Sequence, residues 1–149
     1  DHGVDVRLNL RVTGVERGAR HVTLSDGERL PYDHLVLATG SRVRRVPIPG
    51  SELNGVHYLR TIEDVDRIRD HVHAGANAVI VGAGYIGLEV AAVLRQLDLA
   101  VTVVELAPGI LARIEAPPVA AFYTRVHEDA GVHIRCGTAV AKIHGESRV

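Results

Sequence analysis

Ala78-Val79-Ile80-Val81-Gly82-Ala83-Gly84-Tyr85-Ile86-Gly87-Leu88-Glu89 decides the fold. An apolar run too short to cross a bilayer enters a Gly-x-Gly-x-x-Gly turn, and an apolar-periodic helix leaves it. A second apolar run closes on Val103-Val104 and is followed by Glu105, eighteen residues after Gly87. Gly82 ends the first strand in a turn too tight for a side chain. Gly84 lets backbone approach a pyrophosphate, and Gly87 lets the helix pack closely on the strand. Tyr85 and Ile86 open the helix, whose free N–H groups and positive dipole end point at the phosphates. Glu105, at the carboxyl end of the next strand, can accept hydrogen bonds from both hydroxyls of an adenosine ribose. A lone glycine fingerprint is a weak signal, with an ordinary glycine turn as its alternative. Strand, helix and acid in this order point to a dinucleotide site.

Glu105 also bears on which nucleotide binds. A carboxylate bonded to a hydroxyl contributes about 1.5–3 kcal/mol, and the same carboxylate faces a 2′-phosphate as a like charge. Leu106 and Ala107 follow, where a phosphate-binding site would want Arg. NAD(H) is therefore expected over NADP(H) by at least roughly tenfold.

Composition narrows the classes further. The 149 residues carry a formal net charge of -1 and no run of Lys and Arg, which argues against a nucleic-acid binder. No apolar run approaches the roughly 18 residues of a membrane span and no signal peptide is visible, so cytoplasm is the default compartment. The chain begins Asp1-His2-Gly3, contains no Met, and reads as an internal fragment of a longer protein. Cys136 is the only cysteine, so no internal disulfide forms; it reads as a small strand residue. The nine His show no metal spacing, His71 and His73 being two apart near a helix end, and no metal site is expected.

Before the glycine motif, short strands are expected over 4–8, 12–16, 21–24 and 29–32, joined by turns at Glu16-Arg17-Gly18 and Ser25-Asp26-Gly27 into an antiparallel meander. His34-Leu35-Val36-Leu37-Ala38-Thr39-Gly40 reads as a strand buried on both faces, of the parallel-sheet type. Arg42, Arg44, Arg45, Pro47, Pro49 and Gly50 then mark an extended crossover, with a solvated basic linker as the plain account of its arginines. A helix is expected over 62–73, capped by Thr61 with Asp64, its stripe formed by Ile62, Val65, Ile68 and Val72. After Glu105, Pro117-Pro118 opens a helix whose Val119, Phe122 and Val126 share a face, and Gly131 ends it. Strands are expected over 132–136 and 139–144.

Residues 3–7 and 11–15 align without a gap on residues 131–135 and 139–143. Any strand after a glycine looks alike, so the echo is either chance or common architecture. In the second case the chain starts inside one nucleotide-binding unit at the topological point where it stops inside another. The fold class is α/β: two Rossmann-like three-layer dinucleotide-binding units, both incomplete, each with parallel strands plus an antiparallel meander. The expected divisions are 1–41, part of a first binding domain; 42–60, a crossover linker; and 61–149, a second binding domain.

With the Ala38-Thr39-Gly40 turn, the Val81-to-Glu89 run and the echo, the chain resembles the FAD-dependent pyridine nucleotide-disulfide oxidoreductases. More narrowly, it is similar to the ferredoxin reductases of the putidaredoxin and rhodocoxin reductase type. Tyr32-Asp33, Tyr58-Leu59-Arg60-Thr61, Leu111-Ala112-Arg113-Ile114, Ala116-Pro117-Pro118-Val119 and Phe122-Tyr123 carry the narrower likeness. The resemblance implies an enzyme in which NADH reduces FAD and the flavin passes electrons singly to a [2Fe-2S] ferredoxin serving an oxygenase. Other members of the fold supply the rivals: an NADH oxidase, the flavoprotein part of a nitrite reductase, or an NADH-sensing module related to apoptosis-inducing factor.

Carried over by residue, the resemblance places Val12, Thr39, Gly40 and Arg60 at FAD. It places Gly82, Gly84, Tyr85, Ile86, Gly87, Glu105 and Arg113 at NAD. Arg113 falls eight residues past Glu105 and is assigned to the adenosine end. Glu89 is implied near the nicotinamide, paired with a lysine of the flavin domain; its plain alternative is a first-turn Glu favoured by the helix dipole. The lack of a Cys-x-x-Cys argues against the thioredoxin-reductase-like branch. The isolated fragment is expected to be inactive.

Overall fold

The computed structural model describes residues 3–113, 116–147 and 149. Contacts separate the chain into two compact units, Asp1–Ser41 and Arg42–Val149.

The first unit is an antiparallel sheet of β1 (Val12–Glu16), β2 (His21–Leu24) and β3 (Arg29–Pro31) in sequence order. β2 alternates half-buried and buried residues, so Val22 and Leu24 form its small core while the flanking strands stay exposed. A bulge between Val12 and Gly14 shifts the register. The expected strand over 4–8 does not form. Asn9 turns left-handed at φ 60°, Arg7 pairs instead with Asp5 and Glu28, and Val4, Val6 and Leu8 remain exposed. The expected strand over 34–40 is likewise absent, and Val36 is 83% exposed. A two-faced parallel strand needs strands on both sides and helices above and below; among the described residues nothing pairs with this one.

In the second unit β4 (Asn77–Val81), β5 (Ala100–Val104) and β6 (His133–Arg135) form a parallel sheet in the order β4-β5-β6. Helix α2 (Tyr85–Gln96) joins the first pair and α3 (Pro117–Asp129) the second. Ala78 lies opposite Val101, and Ile80 opposite Val103. The core is the layer between sheet and helices: Leu88, Ala91 and Leu94 of α2 close over Val101 and Val103, with Leu99, Ile110 and Val132 around them. β5, the central strand and apolar except at Thr102, is where burial is greatest; Val101 and Val103 are fully buried. The other face of β4 stays open at Val79 and Val81.

The parallel sheet thus belongs to the second unit and the antiparallel sheet to the first, which together give the α/β class. Residues 139–144 do not pair as a strand. Their one ladder-like bond runs to the crossover, Ile143 N–H donating to Pro49 O at 2.9 Å. The sequence echo therefore survives only in part: 133–135 and 12–16 are strands, whereas 4–8 and 139–144 are not.

The helix before β4 is shorter than its pattern. α1 (Ile62–Arg69) starts at Thr61 with Asp64 accepting from the N–H groups of Arg60 and Thr61 at 2.9 and 2.8 Å. It stops at Asp70 because His71 and Val72 bond three residues back, to Ile68 and Arg69, tightening the turn. Its stripe is not buried: Ile62 is 68% exposed and no α1 residue is buried. On α3 the face is shifted. Val119, Phe122 and Val126 are exposed, while Ala120, Tyr123 and His127 turn to the core, the next residue in each case facing inward. Pro117 and Pro118 open the helix and Gly131, at φ 84°, follows it.

His127 is the one buried polar side chain of the described core, its Nε2 3.1 Å from Leu88 O on α2 and its Nδ1 2.9 Å from Tyr123 O. His127→Ala removes the inter-helix bond and leaves a cavity, so urea unfolding is expected to show a loss of about 2–4 kcal/mol. A change within about 0.5 kcal/mol would mean that α2 and α3 are held by other contacts.

The crossover is fixed to this unit rather than solvated along its length. Val46 N–H donates to the Tyr58 hydroxyl at 3.2 Å, and the Arg45 guanidinium lies 5.1 Å from the centre of the Tyr58 ring. Gly50, at φ 85°, passes so close to residue 143 that a Cβ would sit 2.2 Å from Ile143 O. Gly50→Ala combines a left-handed conformation with that clash, and should cost about 2–4 kcal/mol in chemical denaturation.

Candidate functional site

The carboxyl ends of β4 and β5 are stitched together by the motif residues themselves. Gly82 N–H donates to Val104 O at 2.8 Å and extends the ladder past the end of β4. Gly82 has φ 109°, which a side chain would strain. A Cβ on Gly87 would lie 2.1 Å from Gly82 O, so the first turn of α2 can touch the turn backbone only because residue 87 has none. Gly84 has an ordinary φ of -81°, and a Cβ there would meet nothing within 4 Å. Neither fold nor strain requires glycine at 84; the open space it leaves suits close approach of a ligand. Gly84 O receives Leu88 N–H at 3.0 Å, and the N–H groups of Tyr85, Ile86 and Gly87 at this end have no intrahelical acceptor.

Glu105 closes the turn from the other strand. One carboxylate oxygen accepts from Ala83 N–H and the other from Ala107 N–H, both at 2.8 Å. Burial pushes its pKa up, but the Ala107 and Ala83 N–H groups, the Arg113 charge and the Leu106 N–H outweigh that and hold the carboxyl below its ordinary value. Each carboxylate oxygen has a second lone-pair site, so these bonds leave capacity for two hydroxyl donors. Ala83, fully buried, is gripped on its other side by Leu111 N–H, which donates to Ala83 O at 3.0 Å from a left-handed residue at φ 51°. The loop after β5 is thereby fastened to the glycine turn.

A cleft of about 430 Å³ opens at these strand ends. Gly82, Gly84, Glu105 and Arg113 line it together, as the sequence suggests, and so do Arg44 of the crossover and Thr138 beyond β6. The last two escape sequence reasoning. Arg44 sits in a Pro-rich basic stretch that looks like linker, and Thr138 reaches the cleft because its N–H donates to Glu105 O at 2.9 Å. The lining fits a dinucleotide: a glycine cradle open at 84, a helix N-terminus, a carboxylate with free lone pairs, and two arginines.

Other candidate residues lie outside the cleft. Tyr85 and Ile86 are exposed at the start of α2, Tyr85 lying edge-on to Tyr123 with ring centres 6.4 Å apart. Glu89 is exposed and falls just past the first turn of α2, which holds no acid, so the first-turn dipole account of this residue is corrected. Val12 is a half-exposed β1 residue; Thr39 and Gly40 are exposed on a segment without regular structure. Arg60 has an exposed side chain at the start of α1, and its N–H is held by Asp64. Cys136 is half-buried with its thiol pKa raised, first by burial and then by the charges of Glu105 and Glu128. Among the described residues no three His, Cys, Asp or Glu gather as metal ligands, and no helix is long and apolar enough to cross a membrane.

A parallel three-stranded half of a doubly wound sheet, with a glycine turn and an acid at adjacent strand ends, defines a dinucleotide-binding unit. The sequence matches the pyridine nucleotide-disulphide oxidoreductase family over residues 1–149, and the chain belongs to that family. It is 47% identical over 133 residues to putidaredoxin reductase CamA of Pseudomonas putida, covering 87% of this chain and 32% of that protein. Rhodocoxin reductase of Rhodococcus erythropolis is 40% identical over 144 residues, 97% of this chain and 34% of that one. The crystal structure of the ferredoxin reductase for the CYP199A2 system of Rhodopseudomonas palustris superposes with a TM-score of 0.72 at 37% identity, covering 92% of this chain and 34% of that chain. The chain thus spans about a third of the length of these relatives.

Proposed function

We propose that this chain is the middle of a flavin-dependent reductase that takes electrons from NADH and delivers them to a [2Fe-2S] ferredoxin serving an oxygenase. The observation that carries the nucleotide half of this proposal is the Glu105 carboxylate, which bridges Ala83 and Ala107 at the mouth of a cleft also lined by Gly82 and Gly84. The ferredoxin half is supported by the names of relatives 40–47% identical to it. FAD, when bound, supplies the exchange between a two-electron donor and a one-electron acceptor.

This chain's own residues position rather than react. Gly82 and Gly87 hold the turn, Gly84 leaves room for the diphosphate, and the Tyr85, Ile86 and Gly87 N–H groups face its charge. Glu105 accepts the adenosine ribose hydroxyls and repels a 2′-phosphate. Arg113 stands at the adenosine end and Glu89 toward the nicotinamide. Val12, Thr39, Gly40 and Arg60 are assigned to FAD on the family resemblance alone. Residues 1–41 are taken as part of the FAD domain, 42–60 as the crossover, and 61–149 as part of the NAD domain. Cytoplasm is the proposed compartment.

The test uses the full-length protein, following NADH oxidation with ferricyanide, then with a [2Fe-2S] ferredoxin and cytochrome c. Bound flavin and cytochrome c reduction that depends on the ferredoxin are expected. NADH-dependent peroxide formation indifferent to ferredoxin would make it an oxidase; an NADH-dependent change of assembly without turnover would make it a sensing module.

A further inference from the structure

We propose that Arg44, on the crossover segment, is a ligand for the dinucleotide's diphosphate, making the crossover part of the nucleotide site. This rests on the dinucleotide reading of the cleft. Arg44 and Val46 line the same cleft as Gly82, Gly84 and Glu105, although they lie far before the motif in sequence.

Their place is fixed by the fold of the second unit. Pro49 O receives Ile143 N–H at 2.9 Å, and Gly50 touches the Ile143 carbonyl too closely to carry a side chain. Val46 N–H is tied to the Tyr58 hydroxyl, and Ile48 N–H donates back to Val46 O at 3.0 Å. Downstream, Asn54 exchanges backbone bonds with Ser147 and Val149 at 3.4 and 3.0 Å. The strap from 46 to 54 is therefore anchored along the segment that follows β6, which itself borders the cleft at Thr138, Ala139 and Val140.

The neighbouring arginines are already engaged or lie elsewhere. Arg45 stacks on Tyr58, whereas Arg44 has no hydrogen bond or ion pair among the described residues. The Arg113 charge already acts on Glu105, helping to hold that carboxyl below its ordinary value. A dinucleotide brings two negative charges on its diphosphate, and a helix N-terminus supplies only about half a positive charge. Among the described residues that line the cleft, Arg44 is the cation without such a partner, and its fork of donors suits phosphate oxygens.

The experiment compares ADP-ribose with adenosine on the full-length protein, by calorimetry for the first and by competition in saturation-transfer NMR for the weaker second. Arg44→Ala should weaken ADP-ribose about tenfold, the loss of one charge-assisted contact. Arg44→Lys, which keeps the charge but not the fork, should restore part of it, and adenosine, which has no diphosphate, should bind all three proteins alike. Added salt should erase most of the difference between wild type and Arg44→Ala. Equal ADP-ribose affinity in wild type and Arg44→Ala, or a matching loss for adenosine, would overturn the proposal while leaving the cleft as a nucleotide site. Wild-type protein that binds neither compound would overturn the nucleotide reading itself.

Discussion

Gly87→Ala is expected to destabilise the second unit by about 2–4 kcal/mol and to abolish measurable NADH binding, because the new methyl group would sit 2.1 Å from Gly82 O. That neighbour is backbone, with no rotamer to swing aside. Relief must come from moving α2 off β4, which also moves the N-terminal N–H groups that face the ligand. Gly84→Ala is the contrast. Its φ is ordinary and its surroundings are empty, so unfolding should shift by less than about 0.5 kcal/mol while NADH affinity falls, since the methyl group occupies the space left for the diphosphate. Urea unfolding and NADH titration of both variants separate the two roles. Equal effects on stability would show that the close helix–turn contact is not what Gly87 provides.

Glu105→Ala has the second large effect, and it acts on structure and binding together. It leaves the Ala83 and Ala107 N–H groups without their acceptor. Ala83 is the more costly of the two, because it is fully buried. Glu105 itself is only half-buried, so solvent screening limits the stability loss to about 1–2 kcal/mol. NADH affinity is expected to fall at least tenfold, while NADPH, already disfavoured, should change little or improve. A variant that still prefers NADH over NADPH as wild type does would remove Glu105 as the selector.

The same carboxylate predicts an acid limit. Its pKa is lower folded than unfolded, so the unfolded chain takes up its proton first as pH falls. The stabilisation from Glu105 is complete above the unfolded carboxylate pKa and is lost as pH drops through the depressed folded value. Unfolding free energy measured from neutral pH down should fall more steeply in wild type than in Glu105→Ala. Parallel profiles would mean that the Ala83 and Ala107 bonds do not hold the charged form.

What the sequence makes legible follows from which contacts are local. The glycine turn, α2 and Glu105 lie within one β-α-β unit, and their spacing alone brings them to one cleft. Thr61 with Asp64 is similarly self-contained and forms as its spacing implies. The segment 34–40 fails for the opposite reason. Its Leu35-Val36-Leu37 run has the composition of a buried parallel strand, yet a strand is made by its neighbours, and among the described residues it has none. Residues 139–144 show the same limit, with Ile143 spending its N–H on Pro49. On α3, the apolar spacing of Val119, Phe122 and Val126 suggests a buried face, but the core takes Ala120, Tyr123 and His127, because His127 has a carbonyl to meet on α2. Arg44 and Thr138 were invisible as site residues since only long-range bonds, through Pro49 and Glu105, bring their segments to the cleft.

The most direct test of the account is a crystal structure of the full-length protein soaked with NADH. The account predicts the adenosine ribose hydroxyls on Glu105, the diphosphate against Gly84 and the start of α2, and the Ala83 and Ala107 N–H bonds to Glu105 still in place. Saturating NADH bound away from the Glu105 carboxylate, or a cleft empty at that concentration, would contradict it.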